Sequence, residues 1–486
     1  MFYGRNGALR MICVVRHAPD IALSILSLKR EMGLIGAISF IAGTMMGSGI
    51  FMSPQSVLIN IGSPGGSLVI WAACGVLVTL GSLCYAELGT VIPESGGEYI
   101  YFLRIFGQVI AFMFAFSCLF VMIPTSVSGI ALSFAEYAVT PFYLDCTPPD
   151  LVVKCVAAAG IMVLATVHSM NVRLAIFIQV FCMCFKLVAL TVIIVGGLVL
   201  LFNGNSNHFE DSFKGSNVEI SSIGISLYQG LWSYDGWNTL NYLTEELKYP
   251  EVNLPRAVMI SIPMVTLLYL LVNVSYLVAL TPKELMSSSA VAVTWGNKVL
   301  GSWGWVMSIA AALSAFGSLN GTFFSGGRVC FVAAREGHLP DILAMAHVNR
   351  LTPSPALIFT TAISLLVLIP GDFQSIVNFF SFTAWFFHAV TLSGLLYLKI
   401  KKPELPRPYK VPVVIPILVL LAAIFLVLAP VIDNPAIEYL YVTLFIFSGV
   451  LVYVPFIHYK ICSGLLEKFT AFLQIFLEVA PADKTL

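Results

Sequence analysis

Long apolar stretches, separated by short polar loops, run along almost the whole chain. Stretches of about 20 apolar residues are typical of helices that cross a bilayer, and the pattern predicts twelve of them. Their predicted starts lie near Leu34, Ser67, Val109, Leu151, Ala175, Ile223, Leu254, Ser302, Pro355, Phe373, Pro412 and Ile437. We therefore predict an all-α integral membrane fold with a tail at 1–30, a twelve-span domain at 31–460 and a second tail at 461–486.

Two of the predicted spans are interrupted, one in each half of the chain. The span Leu34–Leu58 contains Gly47-Ser48-Gly49, and the span Ile223–Leu243 contains the polar, glycine-flanked stretch Gly230–Gly236. Lipid cannot satisfy backbone that leaves helical geometry, so such breaks survive where they line a cavity. Matched breaks in two halves indicate the binding site of a transporter built from inverted repeats. The alternative is that these glycines only allow close helix packing.

Composition supports the membrane assignment. The chain has 486 residues, of which 58% are hydrophobic and only 10% are charged, and its mean hydropathy is +0.92. Ordinary globular chains carry about a quarter charged residues. The formal net charge is zero, which argues against a nucleic-acid partner.

The distribution of Lys and Arg predicts the orientation. Twelve spans place both termini on the same side, and a cytosolic N-terminus puts nearly all of these residues in cytosolic segments. The exceptions are Lys154, Lys214, Lys283 and Lys298, which fall outside, and Lys186, which lies within a span. Because cytosolic loops carry an excess of Lys and Arg, both termini are predicted to be cytosolic.

Between Leu465 and Val479 the C-terminal tail has the helical spacing of an amphipathic helix on the membrane surface.

Several motifs occur in the same order as in a known family. They are Gly43–Pro54, Tyr85–Thr90, Ser95–Tyr99, Thr244–Glu246, Arg335–Pro340 and Arg407–Pro412. From about Lys29 to about Val479 the chain resembles the light chains of heteromeric amino-acid transporters, within the amino acid–polyamine–organocation superfamily. The segment Gly230–Asn238 is most similar to the b(0,+)-type light chain. The resemblance implies a LeuT-like fold of two inverted five-helix repeats plus two further helices.

The two breaks suit the two charged ends of a free amino acid. Backbone N–H groups at a helix N-terminus attract a carboxylate, and C=O groups at the end of a half-helix attract an ammonium. In the resembling family the aromatic residue at the position of Trp232 is a substrate gate. The predicted substrate-binding residues are Thr44, Met45, Gly47, Ser48, Gly49, Ile50, Trp232, Ser233, Asp235 and Asn238.

Two charged residues fall inside predicted spans. An intramembrane carboxylate is functional by default, so Asp235 is predicted to face the substrate and could favour cationic substrates. Alternatively, Asp235 is held by local backbone or the Asn238 amide, or caps the resuming half-helix.

For Lys186 the resemblance implies an ammonium between the first and eighth helices that replaces a coupling sodium ion. The alternative is a snorkelling lysine.

Two positions differ from related light chains. Ile123 stands where the b(0,+)-type and cystine/glutamate-type light chains have a basic residue, and Ala384 stands where the cystine/glutamate exchanger has an arginine. Without those cations an acidic side chain would be buried unpaired, at a steep desolvation cost. The resemblance thus implies large neutral substrates, including aromatic ones, with dibasic amino acids left open.

One cysteine, Cys146, lies in an evident extracellular loop. An odd cysteine in an oxidising compartment suggests an intermolecular bridge. The resemblance implies that the bridge joins a single-span glycoprotein heavy chain of the rBAT or 4F2 type. The alternative is an unpaired thiol.

These observations together predict a plasma-membrane, sodium-independent antiporter that exchanges L-amino acids by alternating access with a heavy-chain partner. A proton-coupled symporter is the main alternative, since Lys186 could titrate. A membrane-embedded enzyme would need a catalytic cluster, and beyond Asp235 and Lys186 the sequence offers none. We expect no cofactor, because no nucleotide-binding motif occurs, and no metal, because His338 and His347 have no partners at ligand spacing.

Overall fold

A computed structural model describes residues 32–143, 148–170, 172–204, 211–288, 290–348, 350, 352–432, 437–459 and 463–481. Within these ranges, nine helices are long and apolar enough to cross a membrane. The pair Leu34–Met45 and Gly49–Ile61, bent by 47°, makes a tenth. The other two predicted spans correspond to shorter segments, the helix Ser354–Leu368 and the broken segment that begins with Ile220–Ser233, so the count of twelve stays a prediction.

The helices follow one another in the order that the hydropathy pattern predicts. They are α1 (Leu34–Met45), α2 (Gly49–Ile61), α3 (Pro64–Val91), α4 (Glu98–Ile105), α5 (Gln108–Ser117), α6 (Ile123–Val139), α7 (Asp150–Met170), α8 (Val172–Phe202), α9 (Ile220–Ser233), α10 (Pro250–Ala279), α11 (Pro282–Ser287), α12 (Val291–Val299), α13 (Trp305–Arg335), α14 (Ser354–Leu368), α15 (Phe373–Lys401), α16 (Val414–Ile432), α17 (Ile437–Tyr453) and α18 (Ser463–Leu477). The only strands in the described ranges, β1 (Met345–His347) and β2 (Val479–Pro481), pair antiparallel.

The third span contains a π-helical segment, Cys118–Met122, between α5 and α6. Pro124 follows it in the first turn of α6. A proline lacks the N–H of a helical hydrogen bond and its ring crowds the carbonyl one turn earlier, which accounts for the local widening. The helix nevertheless continues without a break to Val139.

The second break begins later than the sequence pattern suggests. Residues Gly230–Ser233 belong to α9, and the helix ends at Ser233 rather than at Gly230. A Cβ atom on Gly230 would lie 2.7 Å from Cys74 Sγ, so this glycine permits close packing of α9 on α3. The packing interpretation is therefore right for Gly230, whereas the chain does leave helical geometry after Ser233.

The buried apolar side chains form two clusters. One is built largely from α1, α2, α3, α9 and α10, and the other largely from α5, α6, α7, α13 and α14. Both broken helices belong to the first group, whereas Trp232 at the end of α9 packs into the second. The breaks consequently lie where the two groups of helices meet.

The C-terminal segment forms a helix, as the sequence predicts. In α18 the side chains of Phe472, Ile475 and Phe476 are exposed, and β2 ties the end of this segment to β1. Its location on the membrane surface stays a prediction. The N-terminal tail at 1–30 lies outside the described residues.

A buried charge cluster fixes the segment between α15 and α16. Lys399 Nζ lies 2.7 Å from Glu87 Oε2, and the Val411 N–H donates to the same oxygen at 2.8 Å. Arg407 Nη1 lies 3.6 Å from Glu87 Oε1. Glu87 is fully buried, so its charge is compensated by the two cations, and the cluster ties Arg407–Pro412 to α3.

We expect Glu87→Gln to destabilise the protein strongly, because it leaves the Lys399 and Arg407 cations buried without a counter-charge. Breaking a buried pair typically costs about 3–5 kcal/mol. The measurement is the thermal unfolding midpoint of the purified protein in detergent.

Glu94→Gln is the matched control. Glu94 pairs with Arg104 at 2.6 Å, but both side chains are largely exposed, and exposed pairs contribute about 0–1 kcal/mol. Equal shifts of the midpoint for the two variants would contradict the role given to the buried cluster.

Candidate binding site at the two helix breaks

The first break is a tight turn between α1 and α2. Met46 has φ −71° and ψ 73°, and the Gly47 N–H donates to Met45 O at 2.7 Å, which is the geometry of an inverse γ-turn. The N–H groups of Ser48, Gly49 and Ile50 have no backbone acceptor within the described residues. They lie at the N-terminal end of α2, where the helix dipole is positive, so they form a candidate site for an anion.

The second break follows α9. The Leu231 and Trp232 carbonyls accept from the N–H groups of Tyr234 and Asp235 at 3.0 and 3.2 Å. The chain turns at Gly236, with φ +96°, and continues as a 3₁₀ helix, Thr239–Glu246. Each carbonyl has a second lone pair, so this end of α9 can still accept hydrogen bonds from a cation.

A single hydroxyl group joins the two breaks. The Tyr269 hydroxyl on α10 lies 2.7 Å from Met45 O and 2.8 Å from Ser233 O. These carbonyls terminate α1 and α9, respectively, and both would otherwise lack an intrahelical partner. One hydroxyl hydrogen can donate to only one carbonyl at a time, so Tyr269 is shared between the breaks and holds them at a fixed separation.

Glycines allow the breaks to touch. A Cβ atom on Gly49 would lie 2.5 Å from Ser233 Cα, and a Cβ atom on Gly236 would lie 2.6 Å from Thr44 Cγ2. Real Cβ atoms essentially never approach other heavy atoms this closely. The contact at Gly49 is with backbone, which cannot move aside as a side chain can.

A cavity opens at the first break. Its lining includes seven of the predicted residues, together with three that the sequence did not indicate. The predicted ones are Thr44, Met45, Gly47, Ser48, Gly49, Trp232 and Asp235, and the additional ones are Ile130, Ser318 and Thr322.

Three predicted residues do not line this cavity. Ile50 is fully buried, and Ser233 packs against Gly49. Asn238 donates through Nδ2 to Glu98 Oε1 at 2.6 Å, so its amide does not hold Asp235. Glu98 is itself a buried carboxylate that the sequence analysis does not predict as a site residue, because it follows a polar segment between two predicted spans.

A second cavity adjoins the first at Trp232 and Asp235. The rest of its lining is largely aromatic. It consists of Leu231, Trp237, Phe380, Ser381, Ala384, Trp385 and His388. In the part of the chain that the structure describes, no Lys or Arg is found within ion-pair distance of Asp235, so both cavities border an uncompensated carboxylate.

Lys186 lies beside the first break. Its Nζ donates to Gly43 O at 2.7 Å and lies 3.5 Å from Ser318 Oγ. The side chain is fully buried, so it does not snorkel to the membrane surface. The ammonium thus connects α8 to α1 and α13, the first and eighth spans.

Comparison with known proteins finds similarity to amino-acid transporters. A sequence profile described as amino acid permease matches residues 32–455. The human b(0,+)-type amino acid transporter 1 is 50% identical, over 94% of both chains. The human cystine/glutamate transporter is 41% identical over 94% of this chain and 92% of its own length. The mouse large neutral amino acids transporter small subunit 2 is 43% identical over 85% of this chain and 78% of its own.

The chain belongs to the amino acid permease family. The resemblance to the light chains is confirmed by these relatives, and the protein is a multi-pass membrane transporter of amino acids. Because the relatives of this permease are named as transporters, the enzyme alternative is set aside.

We expect Gly49→Ala to reduce amino-acid uptake at least tenfold. The added methyl group would overlap Ser233 Cα and force the two breaks apart, which displaces the N–H groups at the start of α2. Uptake is measured in proteoliposomes that contain equal amounts of folded protein.

Gly81→Ala is the control, since its added Cβ would meet its nearest neighbours, Trp237 and Val419, only at 3.6–3.7 Å, which is ordinary contact. Gly81 also lies within a membrane span, in α3. Normal uptake by folded Gly49→Ala protein would show that the breaks do not need this close approach.

Proposed function

We propose that the protein is the light chain of a sodium-independent exchanger of large neutral amino acids, including aromatic ones, with dibasic amino acids as a further substrate class. It would act in the plasma membrane, with cytosolic termini, by alternating access. The observation that carries the proposal is the meeting of two broken helices, one with free N–H groups and the other with carbonyls, at one cavity.

The backbone of the site supports an amino acid as the ligand. The free N–H groups at Ser48, Gly49 and Ile50 suit an α-carboxylate. The carbonyls at the end of α9 suit an α-ammonium. Both groups are present in every free amino acid, so this part of the site would select the amino-acid backbone and leave the side chain to the adjoining cavity.

The second cavity supports the proposed side-chain preference. Its tryptophan and phenylalanine residues provide apolar surface for large neutral and aromatic side chains. Asp235 would attract the cation of a dibasic side chain. An acidic side chain would face Asp235 without a compensating cation, because Ala384 lines this cavity where the resembling cystine/glutamate exchanger has arginine. Burying such a charge unpaired is costly.

The position of Lys186 supports sodium independence. Its ammonium donates to the Gly43 carbonyl and lies close to Ser318, so a cation tethered to the chain already joins the first and eighth spans. A sodium ion would have to compete with a tethered positive charge for the same carbonyl. Coupling would then depend on exchange of one amino acid for another.

A proton-coupled symporter is the second candidate. Its supporting observation is the group of buried titratable side chains beside the second cavity, Asp235, Glu98 and His388. A proton gradient would then drive net uptake without an internal amino acid. Loading the vesicles with amino acid or leaving them empty separates the two mechanisms.

We expect uptake to persist when sodium is replaced by choline, and to require an amino acid inside the vesicles. Lys186→Ala should lower turnover by roughly tenfold to a hundredfold, because a hydrogen bond to a charged group contributes about 1.5–3 kcal/mol. The substrate KM should change less, because Lys186 does not line either cavity. The measurement is the initial rate of exchange against substrate concentration.

Lys154→Ala is the matched control, because Lys154 Nζ also donates to a backbone carbonyl, that of Ile369 at 2.7 Å, but lies at an exposed site. Its turnover should equal that of the wild type. Sodium-dependent uptake, uptake into empty vesicles driven by a proton gradient, or normal turnover of Lys186→Ala would each count against the proposed mechanism.

We further propose a disulfide from Cys146 to a single-span glycoprotein heavy chain of the rBAT or 4F2 type. Cys146 lies outside the described residues, so the support is its place in the loop between α6 and α7 and the family resemblance. The mouse relative is itself named a small subunit.

We expect Cys146→Ser to abolish a reducible high-molecular-weight band when the protein is expressed in cells with either heavy chain. Non-reducing electrophoresis provides the measurement. Cys155→Ser is the control, because Cys155 is an exposed free thiol on the neighbouring helix α7. Persistence of the band in Cys146→Ser, or its loss in Cys155→Ser, would assign the bridge elsewhere.

A further inference from the structure

One face of α15 forms a wall of the second cavity. Ser381, Ala384, Trp385 and His388 are spaced at i, i+3, i+4 and i+7, so they share one side of the helix, and all four line the cavity. Of these residues His388 alone carries an imidazole, whose two nitrogens can each donate or accept a hydrogen bond. It is 8% exposed, which makes it a buried polar group at the edge of an empty space.

One nitrogen of His388 is already engaged. Nδ1 lies 2.7 Å from the Tyr85 hydroxyl and 3.6 Å from Glu98 Oε1. Glu98 is in turn held by Asn238 and by the Tyr242 hydroxyl, which donates to Oε2. This network fixes the orientation of the imidazole, because the partners of Nδ1 belong to α3 and α4 rather than to α15.

The other nitrogen is free. Within the described residues Nε2 of His388 has no hydrogen-bond partner. The two ring nitrogens direct their hydrogen bonds away from each other, so with Nδ1 turned towards Tyr85 Nε2 faces away from Tyr85, and His388 lines the cavity. Trp237 and Trp385 flank the ring, with centroids 5.1 and 5.2 Å away, and they keep it from turning.

A polar atom that has no partner within the protein is available to a ligand that enters the cavity. The cavity extends from Asp235, which it shares with the substrate cavity, to His388. A side chain that enters past Trp232 would therefore meet apolar aromatic surface first and the imidazole at the far end. Both tautomers of the ring offer Nε2, either as a donor or as an acceptor.

We propose that His388 is a specificity-determining residue whose Nε2 binds a hydrogen-bonding group at the end of the substrate side chain. The favoured substrates are those with a terminal hydroxyl or amide, such as tyrosine and glutamine, over apolar side chains of equal size. The inference rests on the proposed function, since it takes the second cavity as the side-chain pocket of the amino-acid site.

The test compares tyrosine with phenylalanine, which differ by one hydroxyl group. In the wild type we expect KM to be about tenfold lower for tyrosine, because a site that hydrogen-bonds a group disfavours the analogue without it. In His388→Phe the ratio of the two KM values should fall to about one. Exchange is measured in proteoliposomes for both amino acids, so each preparation is its own reference for folding and for active fraction.

Two further substitutions separate hydrogen bonding from packing. The amide of glutamine reaches the position of Nε2 and that of asparagine the position of Nδ1, so His388→Gln should keep most of the preference for tyrosine and His388→Asn should lose it. Tyr85→Phe should weaken the preference, since it releases the ring.

His338→Phe is the matched control. His338 is also buried and also lies 2.8 Å from a tyrosine hydroxyl, that of Tyr99, through Nδ1, but it lines neither cavity. Its KM ratio should be that of the wild type. An unchanged ratio in His388→Phe, or equal loss in His388→Gln and His388→Asn, would overturn the inference and leave the proposed exchange intact. A wild type that exchanges neither amino acid would overturn the proposed function itself.

Discussion

The two breaks can exist only because other groups satisfy their backbone within the membrane. The carbonyls are largely supplied: Gly43 O accepts from Lys186, Met45 O accepts from the Gly47 N–H, and the Tyr269 hydroxyl can then donate to Ser233 O. The N–H groups at the start of α2 have no such partner among the described backbone groups. The membrane interior offers no water to these N–H groups, so a ligand that binds at the first break has to accept hydrogen bonds from them. A carboxylate is the natural ligand for them.

The same constraint explains why the three carboxylates of this region differ in the groups that compensate their charge. Glu87, far along α3, has Lys399 and Arg407 as counter-charges and ties down a loop. Glu98 is satisfied by hydrogen bonds from Asn238 and Tyr242. Asp235 has no cation within the described part of the chain. A carboxylate with compensation stabilises structure, whereas one without it at the edge of a cavity is available to a ligand.

Much of this arrangement could be predicted from the sequence, because it is encoded locally. Each predicted span starts within about four residues of its helix, and the glycines at 47 and 49 mark the first break. The prediction that the second break begins at Gly230 was wrong, because a glycine that permits close packing cannot be distinguished in a sequence from one that permits a turn. Asn238 and His388 could not be placed, because their partners on α3 and α4 are about 140 and 300 residues away. The spacing of Ser381, Ala384, Trp385 and His388 was a further signal for the second cavity, beside Trp232 and Asp235.

The proposed exchange follows from the polar groups of the site that only a substrate can pair. Without substrate, the N–H groups of α2 would have to pass through the change of access without acceptors, and the Asp235 carboxylate without a counter-charge. Each unsatisfied group in a dry site costs about 1–3 kcal/mol, and a charge costs more. A bound amino acid supplies a carboxylate for the donors and an ammonium for the negative end, so the loaded protein reorients with its polar groups paired. Lys186 and Tyr269 would contribute by donating hydrogen bonds to carbonyls of the two breaks in both the outward-open and the inward-open state. The substrate would then be the one partner of the site that leaves and has to be replaced by another amino acid.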